Sequence, residues 1–255
     1  MTTNERSTVG SPVEVRIHYL GHASFVLQFD NGVKVLTDYG SHNAWAEWGW
    51  DSPIHDAGDL APQVVTYSHT HHADHCDEGR RPENVPHVLT GVDGLTIEGI
   101  EIQPIRTSEA SLDEQDNTSY LFSYRGLRIL HLGDCQANII HVADDINGQY
   151  IKEVFAEPHD LVFVPIESQE KFVPQVEAFL DLLRPRRAMP MHYWSEAYRD
   201  ELLVYLEAQN GTGDKHYRIE RVQDASYVLS GDEVDDGVVE VICLERAPFS
   251  IGRDT

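Results

Sequence analysis

Residues 68–75 read Ser-His-Thr-His-His-Ala-Asp-His and place four histidines and one aspartate within eight positions. Clustering imidazoles in this way brings no benefit to folding, because each ring is either charged or costly to remove from water. Neutral imidazole nitrogens and a carboxylate are, by contrast, ligands that bind a divalent metal in proteins. The segment therefore predicts a metal site, with a histidine-rich surface loop as the alternative.

The sequence also predicts how such a site would be supported. Residues 64–67 form a short β-favouring run, which predicts a buried strand that ends at the histidines. Two later runs have the same character: residues 127–132 lead into Gly133 and Asp134, and residues 184–191 lead into His192. Sheet scaffolds commonly carry reactive groups at strand ends. Asp134 and His192 are therefore the candidates for further ligands.

Several short motifs recur in the order that one protein family has. They are Leu20-Gly21-His22-Ala23-Ser24-Phe25, Val35-Leu36-Thr37-Asp38, Ser68-His69, Asp74-His75, Leu132-Gly133-Asp134 and Pro190-Met191-His192-Tyr193. Over about residues 15–205 the chain thereby resembles the metallo-β-lactamase superfamily, in particular its branch similar to ascorbate-6-phosphate lactonase and N-acyl-phosphatidylethanolamine phospholipase D. The resemblance implies an α/β fold, the αββα four-layer sandwich, with a metal site along one edge of its two sheets.

The resemblance implies two metal positions, of which the second has a complete ligand set. That set is Asp74, His75, Asp134 and His192. The first position is expected to use His69 and His71, but the family pattern His-x-His-x-Asp-His is one residue shorter than the spacing here. If Asp74 fixes the register instead, Thr70 and His72 take those two places.

The first position also lacks a histidine that relatives carry before the Gly-Asp turn. Residues 105–111 offer Glu109 at that point, and a carboxylate oxygen is an acceptable ligand for such a metal. The alternative is that Glu109 is a solvated loop residue. The sequence therefore predicts one strong metal position and one doubtful one.

The implied function is hydrolysis of a small-molecule ester, lactone, amide or phosphodiester by a metal-activated water. Zinc is the expected divalent metal, with manganese and iron as alternatives. Asp74 would be the catalytic residue that orients or deprotonates the water, and Asp134 would bridge two metals. His22 and Asp38 would support the ligands or bind metal, unless they are ordinary hairpin residues. The alternative function is a degenerate, non-hydrolytic member that keeps one metal for structure or ligand binding.

Composition limits the partners of the protein. The chain has 43 acidic and 19 basic residues, a net charge of −24, which repels nucleic acid and anionic membranes. The predicted partner is therefore a small-molecule substrate. The three cysteines cannot all pair, which predicts a reducing compartment. No apolar run is long enough to span a membrane and no signal-peptide pattern is recognised, so we expect a soluble, cytoplasmic protein. The acidic surplus suits either a high-salt cytoplasm or an ordinary acidic enzyme.

No linker or internal repeat divides the chain, which predicts one domain over residues 1–255. Its core would span about residues 13–209, followed by a strand-rich, acidic C-terminal extension at residues 210–255. Apolar spacing predicts helices at residues 173–183 and 197–209. The loop at residues 43–59 holds Trp45, Trp48 and Trp50, which could wall a substrate pocket or pack as a loop core; packing is the favoured interpretation.

Overall fold

The computed structural model describes residues 13–109, 116–135, 152–167, 173–213, 216–231 and 237–250. In chain order the strands of these ranges are β1 (Glu14–Gly21), β2 (Ser24–Phe29), β3 (Lys34–Thr37), β4 (Val64–Thr66), β5 (His87–Leu89), β6 (Leu95–Ile97), β7 (Ile100–Thr107), β8 (Asn117–Tyr124), β9 (Leu127–His131), β10 (Leu161–Glu167), β11 (Arg187–Tyr193), β12 (Tyr217–Val222), β13 (Ser226–Ser230) and β14 (Val239–Leu244). The longer helices are α1 (Val173–Leu183) and α2 (Glu196–Gln209), and a 3-10 turn spans Ala46–Trp48.

These strands form two mixed sheets. The first has the order β13-β1-β2-β3-β4-β5, and the second has the order β12-β14-β11-β10-β9-β8-β7-β6. Strands β3, β4 and β5 run parallel to one another, as do β9, β10, β11, β14 and β12. The C-terminal strands enter both sheets, because β13 pairs with β1 while β12 and β14 extend the second sheet beyond β11.

The inner faces of the sheets meet in one apolar core. Its members come from both sheets, and the Phe25 and Phe163 rings lie 4.3 Å apart across the interface. Residues 161–166 of β10 are all apolar and buried, as expected of a strand with both faces covered. Helix α1 packs on β10 through its apolar stripe, and α2 contacts α1, β10 and β11. Two facing sheets with helices form the α/β sandwich that the sequence predicts, and the two predicted helices are confirmed.

A smaller apolar cluster covers the outer face of the first sheet. It joins strand residues such as Leu36 and Val65 to Ile54 and Leu60 of the loop that follows β3. This loop is therefore a structural layer as well as a connection. None of the helices in the described ranges is long and apolar enough to cross a lipid bilayer.

The turn between β1 and β2 allows that loop to pass close to the sheet. Gly21 has a φ of +130°, and a Cβ atom there would lie 2.0 Å from the carbonyl oxygen of Pro53. The His55 amide then donates to the Leu20 carbonyl over 2.9 Å. Only glycine satisfies both the backbone angle and the close approach.

We predict that Gly21→Ala lowers the free energy of unfolding by about 3 kcal/mol or more, because it combines left-handed strain with a backbone clash. The matched control is Gly32→Ala, since Gly32 has a φ of +90° but nothing within 4 Å of an added Cβ. That variant should lose only about 1 kcal/mol. Urea unfolding measures the free energy of unfolding of both variants. Equal losses would show that the contact with Pro53 adds nothing to the cost of Gly21→Ala.

Candidate metal centre

The candidate site lies where strand ends of the two sheets meet. His22 follows β1, Asp38 follows β3, and His192 lies near the end of β11. All three take left-handed backbone, with φ values of 53°, 38° and 54°. Such strain in residues other than glycine persists where the surroundings fix the conformation, and it is common at functional sites. The His192 amide donates to the His22 carbonyl over 2.9 Å, which ties the two sheets together at this point.

The four residues predicted for the second metal are brought together and are all buried. The Nε2 atom of His75 lies 3.9 Å from Oδ2 of Asp74 and 3.9 Å from Oδ2 of Asp134. The Nε2 atom of His192 lies 3.8 Å from Oδ2 of Asp74 and 3.4 Å from Oδ1 of Asp134. Donor atoms about 2.1 Å from one metal lie at most about 4.2 Å apart, so each of these pairs is spaced for a common ion. The sets whose donor atoms all lie within 4.8 Å of one another are His22, Asp74, His75 and His192, and His69, His75 and Asp134.

Several donor atoms of the cluster have no hydrogen-bond partner among the described residues. They are Nε2 of His75, Oδ1 of Asp74 and both ring nitrogens of His69, all buried. Leaving a buried polar atom unsatisfied costs about 1–3 kcal/mol. Buried imidazoles and carboxylates that converge with unsatisfied atoms fit a divalent metal, which would bind Nε2 of His75 and one ring nitrogen of His69.

Asp38 fixes the orientation of the His75 ring. The Nδ1 atom of His75 donates to Oδ2 of Asp38 over 2.9 Å, which leaves Nε2 to face the cluster. Ser68 donates to the same carboxylate through its amide (2.7 Å) and its hydroxyl (2.8 Å). Burial opposes ionisation of Asp38, but His75 and these donors outweigh it and lower its pKa to about 2. The carboxylate is therefore charged and fixes the tautomer of His75.

His22 supports Asp74 in a similar way. Burial, and then the neighbouring His192, lower the pKa of His22 to about 4, so the ring is neutral at pH 7 and carries one N–H. A carboxylate only accepts, so Nε2 donates to Oδ2 of Asp74 (3.0 Å) and Nδ1 accepts from the Ser52 hydroxyl (2.8 Å). The donor atoms of His22, Asp74, His75 and His192 all lie within 4.8 Å of one another, so the position of His22 would also allow it to bind a metal. Because both nitrogens are already used, we infer a supporting role.

Glu109 lies among the histidines of the first half of the site. Its Oε2 atom is 3.2 Å from Nε2 of His71 and 4.0 Å from Nε2 of His69, and its Oε1 atom is 3.7 Å from Nδ1 of His72. Thr70, the other candidate for the first ligand position, is exposed. The structure therefore groups His69, His71, His72 and Glu109 as a second set of metal-binding side chains.

The two halves of the site differ in burial. His69 is buried, whereas the side chains of His71 and His72 are 45% and 37% exposed. The halves are joined through Asp134, whose Oδ2 atom lies 3.7 Å from Nε2 of His69. This position is the one expected of a carboxylate between two metals, and the exposed half remains the one predicted to bind more weakly.

Two supporting residues were missed by the sequence analysis. His131 donates through Nε2 to the Ala23 carbonyl (2.9 Å) and accepts through Nδ1 from the Gly133 amide (3.2 Å). Asn117 accepts through Oδ1 from the Asp134 amide over 3.0 Å. Together they shape the turn that presents Asp134. The place of His131 just before the Gly-Asp turn was an available signal, but nothing local marks Asn117.

A tryptophan wall, made of Trp45, Trp48, Trp50 and Trp194, borders the cluster. Its ring centroids are 4.2 Å apart for Trp50 and Trp194, and 5.9–6.2 Å apart for the other contacting pairs. Trp194 lies 4.8 Å from the His22 ring. The sequence analysis named the three loop tryptophans but not Trp194, which joins them only in three dimensions.

A family model described as the β-lactamase superfamily domain matches residues 16–192. This match covers more than half of the chain, and the protein belongs to the metallo-β-lactamase superfamily, as the sequence motifs predict. The branch within the superfamily stays a prediction. No curated protein was found to match the sequence.

Solved structures share the fold. A protein from Thermotoga maritima, proposed to be a zinc-dependent hydrolase of the superfamily, is 21% identical, with a TM-score of 0.58 over 91% of this chain and 100% of that one. A proposed metal-dependent hydrolase from Parabacteroides distasonis is 17% identical, with a TM-score of 0.55 over 79% and 90%. CmlA from Streptomyces venezuelae, a diiron β-hydroxylase, is 15% identical, with a TM-score of 0.52 over 79% and 52%. The fold thus carries metal chemistry of more than one kind.

We predict that Asp38→Ala weakens metal binding about 10–100-fold, because His75 loses the partner that fixes its tautomer. Calorimetric titration of metal into the metal-free protein measures the change. The control is Asp30→Ala, which removes a carboxylate bonded to Tyr124 and Arg125 away from the site. Unchanged affinity in the Asp38 variant would argue against its supporting role.

The two halves should also titrate differently, with one tight and one weak binding event. Glu109→Ala should abolish the weak event, while Glu109→His should tighten it by supplying an imidazole. Glu101→Ala, an exposed acid on β7, serves as the control. If the titration shows two equally tight binding events, and their affinities are unchanged in both Glu109 variants, another residue completes the first site.

Proposed function

We propose that this protein is a metal-dependent hydrolase that uses a metal-activated water on a small-molecule ester, lactone, amide or phosphodiester. The observation that carries the proposal is the buried cluster around His75 and His192, whose Nε2 atoms lie 3.4–3.9 Å from carboxylate oxygens of Asp74 and Asp134. Buried carboxylates and imidazoles with this spacing fit a metal site and serve no evident packing purpose. Membership of the superfamily, whose fold is shared with proposed hydrolases, supports the same conclusion.

In the proposed mechanism the metal, Asp74 and His22 have separate roles. A bound divalent metal would lower the pKa of a coordinated water from about 15.7 to roughly 7 and polarise the substrate oxygen. Asp74 would orient the attacking water through Oδ1, while His22 holds its Oδ2. Burial raises the pKa of Asp74, but His75 and His22 outweigh burial and lower it below its usual range. This favours an orienting role for Asp74 over storage of a proton at neutral pH.

The donor set supports zinc, manganese or iron. Imidazoles suit all three metals, and carboxylates add the harder oxygen donors that manganese and iron also accept. The buried set of Asp74, His75, Asp134 and His192 would hold the tighter metal, and the His69, His71 and Glu109 set would hold the weaker one. His72 is the alternative imidazole in that weaker set, since its Nδ1 atom lies 3.7 Å from Oε1 of Glu109.

A second candidate function is a degenerate member that keeps a single metal for structure or ligand binding. The half-exposed His71 and His72, and the carboxylate where relatives have a histidine, favour this candidate. It differs from the hydrolase in one measurable way, because it binds metal without turnover.

We predict that the purified protein contains metal, that a chelator removes it, and that the metal-free protein regains hydrolysis of a lactone and phosphodiester panel on adding zinc, manganese or iron. Asp134→Ala and His192→Ala should each strip the buried metal, because a ligand is lost. Asp74→Asn should keep the side-chain shape but lower kcat by about 100-fold or more. Elemental analysis and kinetics are the measurements. Full metal occupancy in both ligand variants would refute the site, and metal binding without turnover would leave the degenerate candidate.

A further inference from the structure

We propose that the tryptophan wall binds the planar aromatic part of a neutral substrate and holds its hydrolysable bond over the metal cluster. The inference rests on the proposed function and narrows its substrate class. The wall contains every tryptophan of the chain, since the sequence has four. Concentrating all of them beside one cluster of polar residues provides a large, rigid apolar surface where a small substrate would enter.

The wall runs along both halves of the site. The Trp45 ring lies 6.0 Å from the His72 ring, at the exposed half. The Trp194 ring lies 4.8 Å from His22 and 5.5 Å from His192, at the buried half. The wall thus extends from the buried half of the site to the exposed half.

Part of the wall is open to a ligand. Trp48 is 64% exposed, whereas Trp194 is only 7% exposed and forms the base against which Trp50 stacks. Trp48 continues the apolar surface of the wall, since its ring lies 5.9 Å from Trp45 and 6.0 Å from Trp50, and a contiguous exposed apolar patch marks a binding surface more often than a scattered side chain does. The exposed Trp48 is thus the part of the wall available to a substrate.

The loop that carries the wall is held in place before any ligand arrives. The Asp51 amide donates to the Trp194 carbonyl over 3.0 Å, and the Ser52 hydroxyl is bonded to His22. The indole N–H of Trp48 donates to Oε1 of Glu47 over 3.2 Å. A surface that is already ordered loses little entropy on binding, which favours affinity for a rigid planar group.

The charges around the wall argue against an anionic substrate. Glu47 and Asp51 lie among the loop tryptophans in sequence. Arg246 donates to the Asp51 carbonyl over 3.4 Å and forms an ion pair with Glu196 over 3.1 Å. The net charge of −24 adds a general repulsion of anions. The guanidinium of Arg246 is thus already paired and is not available to a free phosphate or carboxylate on the substrate.

The ring geometry argues against a quaternary ammonium group. A cation held between aromatic faces lies within about 6 Å of each ring centroid and needs a gap between them. Here the contacting rings are already 4.2–6.2 Å apart and pack on one another, so they leave no gap of that kind. A continuous apolar surface instead suits a flat neutral ring.

Binding can be tested without catalysis, on the metal-free protein. Its tryptophan fluorescence reports only on the wall, because all four tryptophans lie there. We use three quenchers that share a nitroaryl ring: methyl 4-nitrophenylacetate (neutral), 4-nitrophenylacetate (anionic) and 4-nitrobenzyltrimethylammonium (cationic). The neutral ester should quench saturably and bind about tenfold more tightly than either charged probe. Unsaturable quenching, or equal or tighter binding of a charged probe, would overturn the proposal.

Variants locate the binding surface. Trp48→Ala should weaken binding of the neutral ester about tenfold, and Trp48→Phe should restore most of it, because a ring face is kept. Val204→Ala on α2, which also removes an exposed apolar side chain (65% exposed), is the matched control and should change nothing. Equal binding in Trp48→Ala and the parent protein would refute a role for the wall.

Kinetics on the metal-loaded protein separate this inference from the proposed function. Methyl 4-nitrophenylacetate should have a KM about tenfold below that of methyl cyclohexylacetate, which releases the same alcohol, and Trp48→Ala should erase the difference with little change in kcat. Saturable, Trp48-dependent binding without turnover of these esters or of the lactone and phosphodiester panel would support the aromatic subsite while refuting the hydrolase. Turnover of both esters with equal KM in both proteins would refute the subsite while supporting the hydrolase.

Discussion

The candidate site depends on one buried carboxylate. Asp38 leaves β3 in a left-handed conformation and accepts hydrogen bonds from Ser68 and His75. Those bonds fix the start of the histidine segment and the tautomer of His75 at its end. Without them, the segment would present several exchangeable imidazoles to a metal in place of one oriented nitrogen. The charge of Asp38 is maintained because its partners outweigh the cost of burial.

The two sheets make the rest of the arrangement possible. His22 and His192 belong to different sheets, and the bond between their backbones closes one edge of the sandwich. Both residues take strained backbone there, so the packed core around them stabilises conformations that an isolated turn would not keep. As a result, the turn after β1 contributes the histidine that donates to Asp74, and β11 brings His192 to the same point.

The site is asymmetric, and the asymmetry follows from burial. The half around His75 is enclosed by both sheets, whereas His71 and His72 lie on the loop side, where solvent and the tryptophan wall meet. A buried donor set binds its ion with little competition from water, while an exposed one competes with solvent at each ligand. Under the proposed function, the same opening would weaken the first metal position and give a substrate access to both.

The sequence by itself determined the donor types, the strands that carry them and the helices at residues 173–183 and 197–209, because these depend on local propensity and periodicity. The ordered motifs also predicted the sandwich. Only the tertiary structure decided that Glu109 meets the histidines, that Asn117 supports Asp134, and that Trp194 completes the wall. Each of these contacts joins residues far apart in the chain, and a local pattern contains no information about such distances, which the packing of the two sheets alone sets.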